Sequence, residues 1–246
     1  MVPIEPGSTP PEQVARQDAA SFFNAFANAL MMNPPHADDA TFVARFKAIG
    51  LIQGRPFDVA SLTPAVLAAL DRAVADGRQQ LSQLDATSRN GWSFPNTVGK
   101  YGTDYRDRAT VARRGLGALP PEDAIYPSIA SDNDGRPLNG SSGYVVHMPK
   151  RDLPPARAFW SLTLYDKDGY FVPNEINRYA IGDRDQLRFN ADGSLDINIQ
   201  HDRPAESQLT NWLPAPAGEF NLTLRPYWPK PEAVSGAWAP PAIRKQ

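Results

Sequence analysis

The fold is decided by the stretch from Trp160 to Trp228, which holds the densest strand and turn patterns in the chain. Apolar and polar residues alternate there in three runs: Trp160-Ser-Leu-Thr-Leu-Tyr165, Ser194-Leu-Asp-Ile-Asn-Ile-Gln200 and Phe220-Asn-Leu-Thr-Leu-Arg225. Alternation with a period of two is typical of an antiparallel strand that buries one face only. The same reasoning predicts a further strand at Gly143–Met148, just before this stretch.

Turn patterns separate these runs. Asp-Gly pairs lie at Asp134-Gly135, Asp168-Gly169 and Asp192-Gly193, each between strand-like segments. An Asp-Gly pair between alternating hydrophobic runs is the strongest short-range indication of a hairpin. Short strands joined by such turns predict an antiparallel β-sandwich.

The residues before Pro120 follow a helical pattern instead. Apolar side chains recur every three or four positions, which predicts helices at about residues 11–32, 38–48, 63–85 and 104–114. The change of pattern near Pro120 indicates that the helical and β parts of the chain are largely separate in sequence.

Composition excludes several classes of function. The chain has 246 residues, a net charge of −2 and no cysteine, so disulfides, thiolate metal sites and cysteine nucleophiles are excluded. Basic residues are interleaved with acidic ones, and we therefore expect no nucleic-acid partner. No apolar run reaches the roughly 18 residues of a membrane span. The first residues lack the basic and apolar regions of a signal peptide, so none is expected.

A series of ordered motifs resembles a known family. The motifs are Asn90-Gly-Trp-Ser-Phe-Pro95, Phe159-Trp-Ser-Leu-Thr-Leu-Tyr-Asp166, Asn177-Arg-Tyr-Ala-Ile-Gly182, Asn211-Trp-Leu-Pro-Ala-Pro216 and Tyr227-Trp-Pro-Lys-Pro231. With them the chain resembles the bacterial domain of unknown function 1214 family over about residues 90–246. In longer relatives a second module, domain of unknown function 1254, lies upstream.

The resemblance implies a jelly-roll-like β-sandwich with helices attached. Together with the helical pattern, it predicts an α+β fold in which a helical N-terminal third packs on an antiparallel jelly-roll-like β-sandwich. The expected division is a helical connector at residues 1–89 and a sandwich module at 90–246 that opens with one helix. The resemblance also leaves open an exported or periplasmic location, and an upstream module or a second copy of the chain as partner. It implies no mechanism, because a fold does not define a function.

Histidines are the first candidates for chemistry. His147 lies on a predicted strand, and His201 precedes Asp202 at the end of another, while His36 follows a Pro-Pro loop. A general base is most plausible at His147 or at His201 with Asp202, since histidine titrates near neutral pH. The alternative is a histidine hydrogen-bonded in or near the sheet for structural reasons. Zinc-binding spacings such as His-Glu-x-x-His do not occur, and we expect no metal or cofactor.

Aromatic and polar residues form a second candidate group, which could bind a ligand. Aromatic planes beside Arg and Asn donors suit a sugar or a small organic acid, because the plane packs on the apolar face and the donors fix orientation. Alternatively, these residues brace loops and fill the core. The residues are Tyr101, Tyr105, Arg106, Asn177, Arg178, Tyr179, Asn211 and Trp212.

Two classes of function therefore remain. One is a β-sandwich protein that binds a small polar or carbohydrate-like ligand or a partner domain without catalysis. The other is a hydrolase or another acid–base enzyme that uses a histidine with a nearby carboxylate. A cleft that holds His147 or His201 within hydrogen-bonding distance of a carboxylate would favour the enzyme, whereas aromatic side chains spread over an open face would favour binding.

Overall fold

The computed structural model describes residue 8 and residues 10–81, 86–95 and 98–246. The chain divides into two compact units, one formed by residues 1–84 with Tyr101–Leu116, the other by Asp85–Lys100 with Gly117–Gln246. The first unit is helical and the second is mostly β, so the α+β class predicted from the sequence is confirmed.

The described residues of the helical unit form five α-helices. They are α1 (Pro10–Arg16), α2 (Ala19–Met32), α3 (Ala40–Arg45), α4 (Pro64–Gln80) and α5 (Tyr105–Arg114). The single helix predicted at residues 11–32 is divided in two, because the side chain of Asp18 caps α2 by accepting a hydrogen bond from the Ser21 N–H at 2.8 Å. The predicted end of the third helix, residues 82–85, lies outside the described residues.

A hydrophobic core of its own stabilises the helical unit. Phe23, Leu30 and Leu70, from α2 and α4, are at most 8% exposed, and Phe57 packs against Phe23 with ring centroids 5.6 Å apart. The apolar stripes read from the sequence thus face this core.

The described residues of the β unit form two sheets and one short α-helix, α6 (Pro231–Val234). One sheet has six strands in the order β1-β2-β3-β9-β5-β6, and the other has four in the order β10-β4-β7-β8. The strands are β1 (Ala86–Arg89), β2 (Trp92–Pro95), β3 (Ser128–Ile129), β4 (Tyr144–Met148), β5 (Ala156–Asp166), β6 (Ala180–Gly182), β7 (Leu195–Gln200), β8 (Trp212–Pro214), β9 (Phe220–Pro229) and β10 (Arg244–Lys245).

Both sheets contribute to a single hydrophobic core. Leu162 on β5, Ile197 on β7 and Leu222 on β9 are completely buried, whereas the residues between them on each strand are more exposed or polar. The alternation read from the sequence therefore assigns the correct residues to the core face. Because the four-stranded sheet turns one face to the core, the polar residues of β4 and β7 lie on its opposite face.

The sequence predicted an antiparallel sandwich, but the sheets are not wholly antiparallel. Strands β7 and β8 pair in parallel, with Asn198 opposite Trp212. This pairing requires a crossover, and the segment between the two strands supplies it through a 3₁₀-helix at Glu206–Asn211. The prediction missed the crossover because the strand β8 has only three residues, too few for a periodic pattern.

Candidate functional site

The candidate site lies on the face of the four-stranded sheet that is turned away from the core. On β4, His147 lies between the completely buried residues Val146 and Met148, so its side chain points to the opposite face. Asp196 takes the same position on β7, and the two residues are directly paired in the antiparallel register. Paired residues of neighbouring antiparallel strands share one face with Cβ atoms about 5 Å apart, so the two side chains meet.

His147 and Asp196 form a close hydrogen-bonded pair. The His147 Nδ1 atom lies 2.6 Å from Asp196 Oδ1, and each side chain is 38% exposed. A carboxylate that accepts a hydrogen bond from Nδ1–H fixes the neutral imidazole in the tautomer whose Nε2 carries no proton. Nε2 has no hydrogen-bond partner among the described residues. The arrangement leaves a half-exposed ring nitrogen able to accept a proton.

The second oxygen of Asp196 is also held. Asn190 donates from Nδ2 to Asp196 Oδ2 at 2.8 Å and to Ser194 Oγ at 2.9 Å. The Ser194 hydroxyl in turn donates to Asp192 Oδ1 at 2.6 Å. Hydrogen bonds from the side chain and the backbone of Ser194 hold the pKa of the Asp192 carboxyl below its ordinary value. The turn before β7 therefore braces Asp196 from the side opposite His147.

Asn211 supports the same region through hydrogen bonds to its backbone. Its side chain is 7% exposed, and its Nδ2 donates to the backbone carbonyls of Arg188 and Asp196, each at 2.8 Å. Its Oδ1 accepts a hydrogen bond from the Arg188 N–H at 2.9 Å. Asn211 was predicted to bind a ligand, but all the polar atoms of its amide have bonds to the backbone. These bonds support the segment around Asp196, and the role of Asn211 in ligand binding stays a prediction.

Two clefts meet at His147. The first, here called the sheet-face cleft, has a volume of about 750 Å³ and lies over β4, β7 and β10. The residues that line it are Val145, His147, Arg188, Phe189, Asn190, Ala191, Asp196, Asn198, Ser207, Gln208, Asn211, Arg244 and Gln246. Most of these side chains are polar, and Phe189, which is 50% exposed, adds an aromatic surface. A cleft of this size accommodates a small organic molecule.

The second, here called the C-terminal cleft, has a volume of about 740 Å³. Its lining residues are Arg89, Asn90, His147, Pro149, Arg151, Asp152, Glu232, Gly236, Ala237, Trp238, Ala239, Pro241, Ala242 and Arg244. The segment 236–242 forms one wall and is anchored by three side chains. Asn90 Nδ2 donates to Pro240 O at 3.0 Å, Trp92 Nε1 donates to Pro241 O at 2.8 Å, and Trp238 Nε1 donates to Asp152 O at 3.0 Å.

The other two histidines lie outside both clefts. His201 Nδ1 is 2.9 Å from Asp202 Oδ1, but the side chains are 50% and 94% exposed. His36 Nδ1 accepts a hydrogen bond from the Asp38 N–H at 3.2 Å and is 74% exposed. Each of these pairs is made between neighbours in sequence and is surrounded by solvent. Of the histidines, the structure brings only His147 together with a carboxylate and a cleft in the described part of the chain.

The predicted ligand-binding residues at Asn177–Tyr179 and Trp212 have structural partners. Arg178 Nη1 donates to the carbonyls of Leu209 and Trp212, both at 2.8 Å, and so fixes the segment before β8. Asn177 has a positive φ of 49°, and its Oδ1 accepts a hydrogen bond from the Tyr179 hydroxyl at 3.4 Å. Trp212 is 1% exposed, and its Nε1 donates to Gln200 O at 2.9 Å. None of the four lines either cleft.

Tyr101, Tyr105 and Arg106 belong to the helical unit. Tyr105 stacks on Phe42 with centroids 4.0 Å apart, and its hydroxyl donates to Asp39 Oδ1 at 3.1 Å. Desolvation by burial and this hydrogen bond raise the pKa of Tyr105. Asp39 is 6% exposed and also pairs with Arg108 at 3.0 Å. Tyr105 thus takes part in a partly buried network within its own unit.

Side chain-to-backbone hydrogen bonds hold two of the Asp-Gly turns. Asp132 Oδ1 accepts from the N–H groups of Asp134 and Arg136, each at 2.9 Å, and Asp166 Oδ1 accepts from those of Asp168 and Tyr170, also at 2.9 Å. These are side chain-to-backbone turns of the kind that aspartate commonly makes. Across the described ranges, no group of three or more acidic or histidine side chains is arranged to hold a metal ion.

Several residues of the site were missed from the sequence. Asp196 appeared only as a polar position of an alternating strand, and its partner lies 49 residues away. No sequence motif pointed to Arg89, Arg188 or Arg244. The outward polar positions of two alternating strands could have suggested Asp196 as a partner for His147, had the pairing of the strands been known.

These features define an α+β protein with a histidine–aspartate pair on the exposed face of a sheet, where two clefts meet. Residues 123–231 match the family model described as Protein of unknown function (DUF1214), which confirms the resemblance predicted from the motifs. The match covers less than half of the chain and less than the predicted residues 90–246. No curated protein is significantly similar to this chain.

Two solved structures were compared with the chain. The VPA0106 protein from Vibrio parahaemolyticus is 21% identical, with a TM-score of 0.66 over 99% of this chain. This agreement shows a shared fold, and the chain spans 58% of that protein's length. An uncharacterised protein from Burkholderia cenocepacia is 17% identical over 89% of this chain and 52% of its own, with a TM-score of 0.35, which is too low to support an argument.

No helix in the described part of the chain is both long and apolar enough to cross a membrane.

Proposed function

We propose that the protein is an acid–base enzyme, most simply a hydrolase, that acts on a small polar molecule at His147. The observation that supports this proposal is the 2.6 Å contact between His147 Nδ1 and Asp196 Oδ1 at the junction of two clefts. A histidine that acts as a general base needs a carboxylate partner and access to a substrate, and His147 has both a carboxylate and a cleft beside it. His201 and Asp202 line neither of these clefts, and the proposal assigns them no catalytic role.

In the proposed mechanism His147 is the general base and Asp196 is a positioning residue. Nε2 takes a proton from a water molecule as the water oxygen bonds to the electrophilic carbon of the substrate. The imidazolium that forms is stabilised by the Asp196 carboxylate, which stays ionised. The same proton then passes from Nε2 to the leaving oxygen as its bond to carbon breaks, which returns His147 to the neutral form. General acid–base catalysis of this kind contributes about 10²- to 10⁴-fold to a rate.

The first test concerns the protonation of the ring itself. We expect the ¹⁵N chemical shifts of His147 at neutral pH to report a protonated Nδ1 and an unprotonated Nε2, because Asp196 accepts from Nδ1. A His147 ring with Nε2 protonated and Nδ1 bare would contradict the role of general base.

The second test measures catalysis with 4-nitrophenyl acetate, an ester that imidazoles cleave. His147→Gln should lower the rate by about 100-fold or more, whereas His201→Gln should leave it unchanged. The comparison is needed because any exposed histidine cleaves this ester slowly. Equal small losses in both variants would show that His147 is no better than a surface imidazole, and the proposal would then be wrong.

A second candidate function is the binding of a small polar or carbohydrate-like ligand without catalysis. The amide side chains and the exposed Phe189 ring of the sheet-face cleft favour it, since a sugar packs an apolar face on an aromatic ring and bonds its hydroxyls to amides. Binding of a sugar that Phe189→Ala abolishes, with no turnover that depends on His147, would select this function. The jelly-roll-like arrangement of the two sheets, the partner domain and the upstream module also remain proposals.

A further inference from the structure

The C-terminal cleft contains a guanidinium group with an unusual environment. Arg89 Nη1 is completely shielded from solvent and has no hydrogen-bond partner among the described residues. An arginine keeps its charge at all ordinary pH values, and a buried donor without an acceptor destabilises the fold, more so when the group is charged. Because no solvent molecule reaches Nη1, a ligand in the cleft would contact the guanidinium through its other nitrogens, Nε and Nη2.

The Arg89 guanidinium is also held in a fixed place. Its Cζ atom lies 5.0 Å from the centroid of the Phe94 ring, a cation–π contact. On another side it lies against Gly236, where an added Cβ would come within 1.8 Å of Nη1 and 2.2 Å of Cζ. Gly236 has a φ of 78°, and its lack of a side chain leaves the space that the guanidinium occupies. A planar donor fixed in this way is preorganised for an acceptor.

A second arginine of the same cleft has no ion-pair partner either. Arg244 is exposed on β10 and is paired in register with Val145, which places its side chain on the same face of the sheet as His147. The carboxylates that line the cleft are Asp152 and Glu232, and Asp152 already lies 3.6 Å from Arg151 Nε. Within the described residues, neither Arg89 nor Arg244 has a carboxylate within ion-pairing distance.

We propose that the C-terminal cleft binds the carboxylate group of a small organic acid through Arg89, with Arg244 as a second cation. The flat two-pronged guanidinium matches a carboxylate, which can accept two parallel hydrogen bonds from it. This inference extends the proposed function, because it names the substrate class: an acid whose carboxylate is held at Arg89 presents its remaining part to His147, which lines the same cleft.

The test is a calorimetric titration of the full chain with succinate, a small acid with one carboxylate for each arginine. Succinamide, which has the same size and no charge, is the control ligand. We expect succinate to bind, succinamide not to bind, and Arg89→Gln to weaken succinate binding by about tenfold or more, since a charge-assisted bidentate bond is lost. Arg89→Lys should also weaken it, because lysine keeps the charge but not the fork.

Gly236→Ala provides an independent variant that leaves Arg89 in the chain. The new methyl group would displace the guanidinium, and succinate binding should fall about as much as in Arg89→Gln. Gly135→Ala is the matched control, because Gly135 has nearly the same φ, 77°, and no atom within 4 Å of its added Cβ. It should suffer the same backbone strain and retain binding. If Arg89→Gln fails to fold, this pair of glycine variants decides the question.

Binding of succinate that is unchanged in Arg89→Gln and in Gly236→Ala would overturn the proposal, and so would equal binding of succinamide. Dissociation constants for succinate weaker than about 10 mM would overturn it as well. Tighter binding of inorganic phosphate than of succinate would contradict a carboxylate site. None of these results bears on ester cleavage by His147, which is measured separately, so the two proposals can fail independently.

Discussion

The β unit contains two histidine–aspartate pairs that make the same kind of contact but differ in how the surrounding structure holds them. His147 and Asp196 are 49 residues apart and meet at 2.6 Å because two strands bring them together. His201 and Asp202 are neighbours in sequence and meet at 2.9 Å in solvent. Strand pairing and Asn190 hold the side chains of the first pair in place, so their positions do not depend on the hydrogen bond between them. An exposed pair of neighbours gains little, because water competes for both partners.

The largest expected difference between the pairs lies in catalysis. Asp196→Asn keeps the shape of the side chain but no longer favours the tautomer with a free Nε2 or stabilises the imidazolium. We expect it to lower the His147-dependent ester cleavage by about 100-fold or more. Asp202→Asn should leave the rate unchanged. Similar losses in the two variants would show that the strand-supported pair has no special role.

The next largest expected effect is on the free energy of unfolding, which should depend on the residues that surround the His147–Asp196 pair. Asn211→Ala removes the amide that holds Arg188 and the backbone of Asp196, and should lower the free energy of unfolding by about 2 kcal/mol, because buried backbone groups lose their partners. Thr210→Ala, at the exposed preceding residue, should change it by less than about 0.5 kcal/mol. Urea unfolding measures both. Equal effects would mean that Asn211 does not support the segment.

The smallest effect concerns the turn that braces Asp196. Because the pKa of Asp192 is lowered in the folded protein, its ionised form stabilises the fold at pH values above the ordinary aspartate value of about 3.9. This contribution is lost as the pH falls through the lower pKa of the folded state. Asp192→Asn should therefore be less stable than the wild type near neutral pH, and the difference should vanish in acid. A difference that persists unchanged in acid would contradict this account.

The elements with strong local patterns were predictable from the sequence. The runs at 160–165 and 220–225 lie within β5 and β9, the run at 194–200 contains β7, and the helices α2, α4 and α5 lie within their predicted ranges. The residues 11–32 were read as one helix because the break at Asp18 depends on a side-chain cap rather than on apolar periodicity. The parallel pairing of β8 was missed for a related reason, since it depends on a crossover outside any periodic run.

The candidate site was predicted only in part. His147 was named, but Asp196, Arg89 and Gly236 were not. Arg178 and Trp212 were named as ligand-binding residues, and both turned out to have hydrogen-bond partners in the backbone nearby. Polar residues in loops are candidates for either role, and the sequence does not show which acceptors lie within their reach. The roles assigned to the residues of the site stay predictions until the variants are measured.

The sequence by itself determined which side of each strand is buried, because hydrophobic side chains at every second position must leave water together. It thereby placed Asp196 on the exposed face of its strand, whereas it placed His147 on a strand without assigning its face. Only the tertiary structure decided that the two residues share one face, since the pairing of β4 with β7 depends on the packing of the whole core. Arg89 and Gly236 lie near opposite ends of the sequence of the β unit, and the contact between them also depends on the packing of the whole core. Contacts between distant segments follow from the global fold rather than from any local pattern.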